Sequence, residues 1–179
     1  RDAGYDALWE GLKRFLAGHD LNVVNLEGPI CRGGSPHPDQ TSSCLRGDIS
    51  GAASMAAAGV SGVCLANDHA MDYGAQGLEE TLNVLRGVKM GACGAGSNRH
   101  AAGQPMVLKA PGGAGVALLS FSDVGPESYA AGEDTPGINA VSTLEELGEA
   151  VSAAAGAAPY VVVFFHWGEK GGREITSRQ

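Results

Sequence analysis

The stretch Val60-Ser61-Gly62-Val63-Cys64-Leu65-Ala66-Asn67-Asp68-His69 passes from a short apolar run into polar side chains that can bind a metal or move a proton. The apolar run at residues 60–65 predicts a buried strand. In open α/β sheets, ligand-binding groups lie at the carboxyl ends of the strands. The polar residues are therefore candidates for a functional site. An ordinary turn, with Asn67 and Asp68 shaping the loop and His69 as a satisfied partner, is the alternative.

Two other predicted strands end in the same way. Residues 21–24 lead into Asn25-Leu26-Glu27, and residues 160–165 lead into His166-Trp167-Gly168-Glu169. Three strand ends that carry carboxylate, carboxamide or imidazole groups suggest one shared cleft. The residues expected to surround it are Glu27, Asp68, His69 and His166.

The alternation of strand and helix patterns predicts a layered α/β fold. Val161 to Phe165 is apolar on both faces, which predicts a central strand. A Pro-Gly-Gly turn at residues 111–113 predicts a hairpin. The predicted helices are residues 5–16, 51–58, 78–86 and 142 or 143 to 155, the predicted strands are residues 21–26, 60–65, 88–90, 106–110, 115–121 and 161–165, and the long loops are residues 31–46 and 122–138.

Glycines and cysteines each allow two interpretations. The Gly-rich residues 91–98 resemble a phosphate-binding loop, but no Lys follows them, and close backbone packing explains the glycines equally well. Cys31 and Cys44 bracket a polar loop with a spacing that suits a disulfide in an oxidising compartment, although composition does not determine the redox state. Cys64 and Cys93 are expected to be buried small residues.

Composition and charge argue against two kinds of partner, nucleic acid and a membrane bound through this chain alone. The chain has 179 residues, 44% of them hydrophobic and 18% charged, as in a globular domain. Its net charge of −8 and the lack of a Lys/Arg stripe argue against a nucleic-acid partner. No apolar run approaches the roughly 20 residues that a membrane span needs, so membrane association would require segments outside this sequence.

Several motifs together resemble the bacterial CapA family of capsule and poly-gamma-glutamate synthesis proteins, which are relatives of the calcineurin-like metallophosphoesterases. The resemblance covers the chain from about residue 21 to its end. The motifs are Asn25-Leu26-Glu27-Gly28-Pro29, Leu65-Ala66-Asn67-Asp68-His69-Ala70-Met71-Asp72-Tyr73-Gly74, Thr81 with Leu85, Gly94-Ala95-Gly96-Ser97-Asn98 and His166-Trp167-Gly168-Glu169.

The resemblance implies a four-layer α/β sandwich whose cleft holds two divalent ions, such as Mn, Mg, Zn or Fe, that activate water and clamp a phosphoryl group. It also implies metal ligands, a proton donor and further cleft residues. Glu27 is the implied carboxylate ligand with Asn25 as its neighbour or substitute, Asp68 and His166 are further ligands with a catalytic role, His69 is the proton donor, and Asn67, Asp72, Trp167 and Glu169 lie around the cleft.

Two departures from the family pattern bear on the metal site. The family has a Gly-Asp motif on its first strand and a Gly-His motif after the next helix, and neither occurs in residues 1–179. Without these groups a two-metal site lacks about half of its ligands, since each ion takes about four to six. Either residues 1–179 are a single domain that is incomplete at both ends, as we expect, with the missing ligands supplied from outside them, or the site does not hold metals as the family does. Asp68 replaces an Asn of the family, and a carboxylate there would strengthen binding of a hard cation or act as a base.

Three functions follow as hypotheses. The first is a metal-dependent, phosphoesterase-like hydrolase that acts on an acidic polymer, a phosphoester or a peptide. The second is a metal-independent acid-base enzyme that acts on a peptide, as an epimerase does, through His69, Asp68 and His166. The third is a non-catalytic subunit of capsule assembly. The compartment, either the bacterial cell envelope or the cytoplasm, and the oligomeric state are left open by the sequence.

Overall fold

The structure is a computed structural model that describes residues 4–38, 44–141, 143–168, 171–172 and 175. It is a mixed α/β structure, as predicted. The elements in chain order are α1 (Asp6–Leu16), β1 (Val23–Asn25), α2 (Ser50–Ala57), β2 (Gly62–Cys64), α3 (Gly74–Gly87), β3 (Gly91–Cys93), β4 (Ala95–Gly96), α4 (Arg99–Ala102), β5 (Met106–Lys109), β6 (Gly115–Ser122), a 3₁₀ turn (Glu127–Tyr129), β7 (Gly137–Ile138), α5 (Leu144–Ala155) and β8 (Tyr160–His166).

The first sheet has the order β1-β2-β3, and all three strands are parallel. The buried strand predicted at residues 60–65 is thus confirmed as the central strand of this sheet. Backbone bonds continue past the strand ends, since the Leu26 amide donates to the Cys64 carbonyl and the Leu65 amide donates to the Cys93 carbonyl. The first bond holds the carboxyl ends of β1 and β2 side by side, and the second does the same for β2 and β3.

The second sheet has the order β5-β6-β8. The predicted hairpin is confirmed as the antiparallel pair β5 and β6, and β8 runs parallel to β6. The prediction that residues 161–165 form a central strand is wrong for the described residues, where β8 lies at the sheet edge. Val162 and Val163 on β8 are substantially exposed. Valine suits an edge strand as well as a central one, so the apolar run does not distinguish the two positions.

Three apolar clusters hold these elements together. The largest joins the first sheet to residues of α1, α2 and α3. A second joins Cys64, Cys93, Met106 and Leu118 from strands of the two sheets, and a third joins Ala117, Leu119 and Phe121 of β6 to α5 and the residues after it. Successive residues of β6 therefore contribute to different clusters, as the twofold period of a strand requires.

Several predicted helix boundaries are close to those observed. The cap predicted at residue 142 or 143 is Thr143, whose hydroxyl accepts from the Glu146 amide while Glu146 accepts from the Thr143 amide, a complete capping box. Helix α3 begins at Gly74, earlier than the predicted residue 78. Helix α1 forms as predicted, but Leu8 and Phe15 on its apolar side are exposed. No helix in the described ranges is both long enough and apolar enough to cross a bilayer.

The Gly-rich stretch contains β3, and the strand predicted at residues 88–90 is therefore three residues too early. Lys89 adopts a left-handed conformation with φ 58° that ends the helical region, and pairing with β2 begins at Gly91. A side chain at Gly94 would lie 2.6 Å from Ser120, and one at Gly96 would lie 2.5 Å from the Ala102 amide nitrogen. Close packing thus accounts for Gly94 and Gly96, in agreement with the packing interpretation of the Gly-rich stretch.

Candidate functional site

The three predicted strand ends meet in the structure. Glu27 follows β1, Asp68 and His69 follow β2, and His166 is the last residue of β8. Strands β1 and β2 belong to the first sheet and β8 to the second, so the site lies where the ends of both sheets come together. Parallel pairing within each sheet, β1 with β2 and β6 with β8, places the carboxyl ends of the paired strands on the same side, and the 3.2 Å contact between Asp68 and His166 joins the two sheets there.

Among the described residues, Glu27, Asp68 and His69 form a group of side chains that could hold a metal ion. One donor atom from each lies within 4.8 Å of the other two. Glu27 is exposed, the Asp68 side chain is 24% exposed and the His69 side chain is 4% exposed. The imidazole of the group is therefore buried, and solvent reaches the group from the side of the two carboxylates.

Asp68 connects the two histidines of the site. Its Oδ1 lies 3.2 Å from Nε2 of His166, and its Oδ2 lies 3.7 Å from Nε2 of His69. The resemblance assigns His166 as a ligand and His69 as the proton donor. In this geometry His69 is the imidazole grouped with Glu27 and Asp68, and His166 reaches the group through the Asp68 carboxylate.

Two carboxamides organise this group. The side-chain Nδ2 of Asn25 donates to Glu27 Oε2 at 3.1 Å. The side-chain Nδ2 of Asn67 donates to Asn25 Oδ1 at 3.1 Å and to the Leu26 backbone carbonyl at 2.9 Å. Asn67 Oδ1 accepts from the His69 backbone amide at 3.1 Å. Asn67 is completely buried, so it ties the end of β1 to the turn that carries His69. Asn25 orients Glu27.

Asp72 lies behind His69, on the side away from Asp68. Its Oδ2 is 2.7 Å from His69 Nδ1, and its side chain is fully buried. The Tyr129 hydroxyl donates to Asp72 Oδ1 at 3.1 Å. The sequence pattern predicts Asp72 near the cleft but does not reveal Tyr129, because a single aromatic residue in a Pro/Gly-rich loop carries no motif that points to a partner 57 residues away.

The remaining predicted cleft residues lie after β8. Trp167 is 47% exposed, and its ring packs against Phe165 with the centroids 4.9 Å apart. It thus has a packing contact while keeping an exposed face next to His166. Glu169 lies outside the described residues.

The loop after β1 is fastened to α3 beside the site. Glu80 Oε2 accepts from the backbone amides of Gly33 and Arg32 at 2.9 and 3.0 Å, and these two hydrogen bonds lower the pKa of the Glu80 carboxyl. The guanidinium of Arg46 stacks over the Tyr73 ring at 4.6 Å. The loop is therefore held close to the turn that carries His69 and Asp72.

The four cysteines are free thiols, so a disulfide between Cys31 and Cys44 is not formed. Cys31 is buried against α3 near Gly77, a position that sequence spacing does not reveal, and burial raises the pKa of its thiol. Cys64 and Cys93 are buried opposite each other on β2 and β3, as expected of small core residues. The hydrogen bond to Cys64, together with burial, raises the pKa of Cys93 well above its usual range.

Comparison with known proteins places these features in context. The sequence profile described as "Bacterial capsule synthesis protein PGA_cap" matches residues 1–179. The chain is 34% identical over 114 residues to the PGA biosynthesis protein CapA of Bacillus subtilis strain 168, covering 64% of this chain and 30% of that protein. It is 32% identical over 125 residues to the capsule biosynthesis protein CapA of Bacillus anthracis, covering 68% and 30% respectively.

A more distant relative is matched over a longer stretch. The chain is 28% identical over 162 residues to a probable polyglutamine synthesis accessory protein of Mycobacterium tuberculosis strain H37Rv, covering 86% of this chain and 42% of that protein. The chain thus spans less than half the length of each of these relatives.

Proposed function

The chain belongs to the PGA_cap family of bacterial capsule synthesis proteins, and from this membership we propose that it is a metallophosphoesterase-like hydrolase of capsule or poly-gamma-glutamate metabolism. The observation that carries the proposal is the convergence of Glu27, Asp68 and His69, whose donor atoms lie within 4.8 Å of one another. The substrate class is an acidic polymer, a phosphoester or a peptide. Membership of a family of capsule synthesis proteins and the similarity to the two CapA proteins support the capsule context.

The side chains present fit a divalent cation. Two carboxylates and one imidazole form a mixed oxygen and nitrogen donor set that suits Zn, Mn or Fe, whereas Mg favours oxygen ligands alone. Glu27, Asp68 and His69 would hold the ion, and His166, whose ring contacts the Asp68 carboxylate, would place a second imidazole beside it. An ion there supplies Lewis acidity that polarises a phosphoryl oxygen and acidifies water.

The chain's own residues shape this centre. Asn25 orients Glu27 and Asn67 fixes the backbone of His69, so neither ligand has to be ordered when a cation binds. The exposed side of the group faces solvent through Glu27 and the partly exposed Asp68. A substrate would therefore approach across the carboxylates, with Trp167 and His166 on the side of β8.

The proposal includes the layer order of a metallophosphoesterase sandwich, with helices α1 to α3, the first sheet, the second sheet and α5 in succession. The three apolar clusters support it, since they join α1 to α3 with the first sheet, the two sheets with each other, and β6 with α5. In that order the site lies at the ends of both sheets.

The test is metal binding by the purified chain. Isothermal titration with Mn²⁺ and Zn²⁺ should show binding that Glu27→Gln and Asp68→Asn each weaken by at least roughly tenfold. The matched control is Glu10→Gln, the same chemical change on the exposed surface of α1, which should leave the affinity unchanged. Hydrolysis of bis-p-nitrophenyl phosphate should depend on the metal and stop with chelator. Absence of both binding and chelator-sensitive turnover would rule out the proposal.

A second candidate is metal-independent proton transfer on a peptide. The observation that favours it is the Asp68 carboxylate between two imidazole nitrogens, at 3.2 and 3.7 Å, an arrangement that can hold and pass on a proton without a cation. His69 would remove a proton beside a carbonyl and solvent would return one. Deuterium uptake from D₂O into a γ-linked glutamyl peptide, measured with chelator present, tests it. Unchanged uptake by His69→Gln would exclude it.

A further inference from the structure

A fully buried carboxylate, Asp72, accepts hydrogen bonds from three parts of the chain behind the proposed metal-binding group. We propose that Asp72 and Tyr129 are positioning residues that hold the His69 ring with Nδ1 protonated and Nε2 presented to Glu27 and Asp68. The inference rests on the proposed function, because presenting Nε2 to Glu27 and Asp68 serves the proposed metal site. The ring orientation and tautomer that it specifies are properties of the chain without metal.

The contact between His69 and Asp72 determines which ring nitrogen carries the proton. Nδ1 lies 2.7 Å from Asp72 Oδ2, and both side chains are buried. A carboxylate accepts hydrogen bonds and does not donate them, so Nδ1 must be the N–H nitrogen of the neutral ring. Nε2 then keeps its lone pair, and it faces Asp68 Oδ2 at 3.7 Å. This is the arrangement in which a carboxylate fixes the tautomer of a ligating histidine.

The Asp72 carboxylate is itself held by two more donors. The Leu45 backbone amide donates to Oδ2 at 2.6 Å, and the Tyr129 hydroxyl donates to Oδ1 at 3.1 Å. Because both oxygens are engaged, the carboxylate does not turn away from His69. Three charge-assisted hydrogen bonds also offset the cost of burying a charge completely.

These donors come from the two long loops that flank the site. Leu45 lies in the loop before α2, and Tyr129 is the last residue of the 3₁₀ turn before β7. The first loop has a second link, since the His37 amide donates to the Asp72 carbonyl at 2.8 Å and the His37 ring packs edge-on against Tyr129 at 4.9 Å. The orientation of His69 therefore depends on both loops, which meet at a single buried side chain.

Nitrogen NMR of the histidine ring tests the inference without any metal. In protein labelled with ¹⁵N-histidine at about pH 8.5, above the ordinary histidine pKa, His69 is assigned by its loss in His69→Gln. The wild-type ring should show a protonated Nδ1 and a bare Nε2. A proton on Nε2 with a bare Nδ1 would overturn the inference.

Substitutions separate positioning from a merely structural role. Asp72→Asn keeps an acceptor oxygen for Nδ1–H and should retain the tautomer, whereas Asp72→Ala should lose it and weaken Zn²⁺ binding by about 10–100-fold. Tyr129→Phe removes one hydroxyl at constant shape and should weaken Zn²⁺ binding to a smaller extent, with exposed Tyr160→Phe as the matched control that changes nothing. If Asp72→Ala fails to fold, the Tyr129→Phe and Tyr160→Phe pair decides.

The outcomes distinguish the two proposals. A wild-type chain that binds no metal but has Nδ1 of His69 protonated would remove the proposed hydrolase and support the positioning role. Equal Zn²⁺ affinity in Tyr129→Phe and wild type, together with the wild-type tautomer in Asp72→Ala, would overturn the positioning role while leaving the metal site intact.

Discussion

Gly94 lies where the two sheets approach each other next to the candidate site, and replacing it with alanine should destabilise the fold. Its φ is +87°, and an added Cβ would lie 2.6 Å from both Cβ and Oγ of Ser120 and 2.8 Å from the Ala66 amide nitrogen. The Ser120 hydroxyl accepts from that same amide at 3.3 Å, one residue before Asn67. The substitution therefore perturbs both the contact between the sheets and the start of the turn that carries His69.

Two separate costs determine the magnitude for Gly94→Ala. The left-handed backbone costs a non-glycine residue about 1–2 kcal/mol. Forcing a methyl group into packed atoms, here including backbone, costs about 1–3 kcal/mol. Together they should lower the free energy of unfolding by roughly 2–5 kcal/mol, a large part of the roughly 5–15 kcal/mol typical of a domain. The melting temperature should fall by roughly 4–20 °C for a chain of this size.

Two other glycines provide matched controls. Gly113 has nearly the same φ, +86°, but nothing lies within 4 Å of an added Cβ, so Gly113→Ala carries only the backbone cost. Gly112 has open space and no positive φ, so Gly112→Ala should change stability little. Urea unfolding followed by far-ultraviolet circular dichroism gives the three values. If Gly94→Ala costs no more than Gly113→Ala, the packing explanation for the Gly-rich stretch is wrong.

Two further predictions concern the attachment of the first loop to α3. Thr81→Val should lower the free energy of unfolding by about 1–3 kcal/mol, because the buried Ile30 amide loses its acceptor at 2.9 Å; unchanged hydrogen exchange of that amide would contradict the reasoning. Glu80→Gln should destabilise the chain near neutral pH. Because the amides of Gly33 and Arg32 lower the folded pKa of Glu80, its stabilisation is present above the ordinary value of 4.5 and is lost as pH falls through the folded value. Urea midpoints of wild type and variant should therefore converge in acid, and a difference independent of pH would refute this assignment.

Local patterns in the sequence determined much of this fold. The apolar run before Asn67 specifies β2, the Pro-Gly-Gly turn specifies the hairpin of β5 and β6, and Thr143 with Glu146 specifies the start of α5. Each depends on residues only a few positions apart, and such interactions can be read from spacing and side-chain type. The polar strand ends could likewise be identified, because parallel strands bring their carboxyl ends to one edge of a sheet.

Other features were decided only by tertiary structure. The exposed position of β8 and the start of β3 at Gly91 depend on which strands pair, and apolar character alone does not specify that. The links from Leu45 and Tyr129 to Asp72 join residues 27 and 57 positions apart. A buried carboxylate must find donors wherever the folded chain supplies them, and only the packing of the two loops brings these donors to Asp72 and so orients His69.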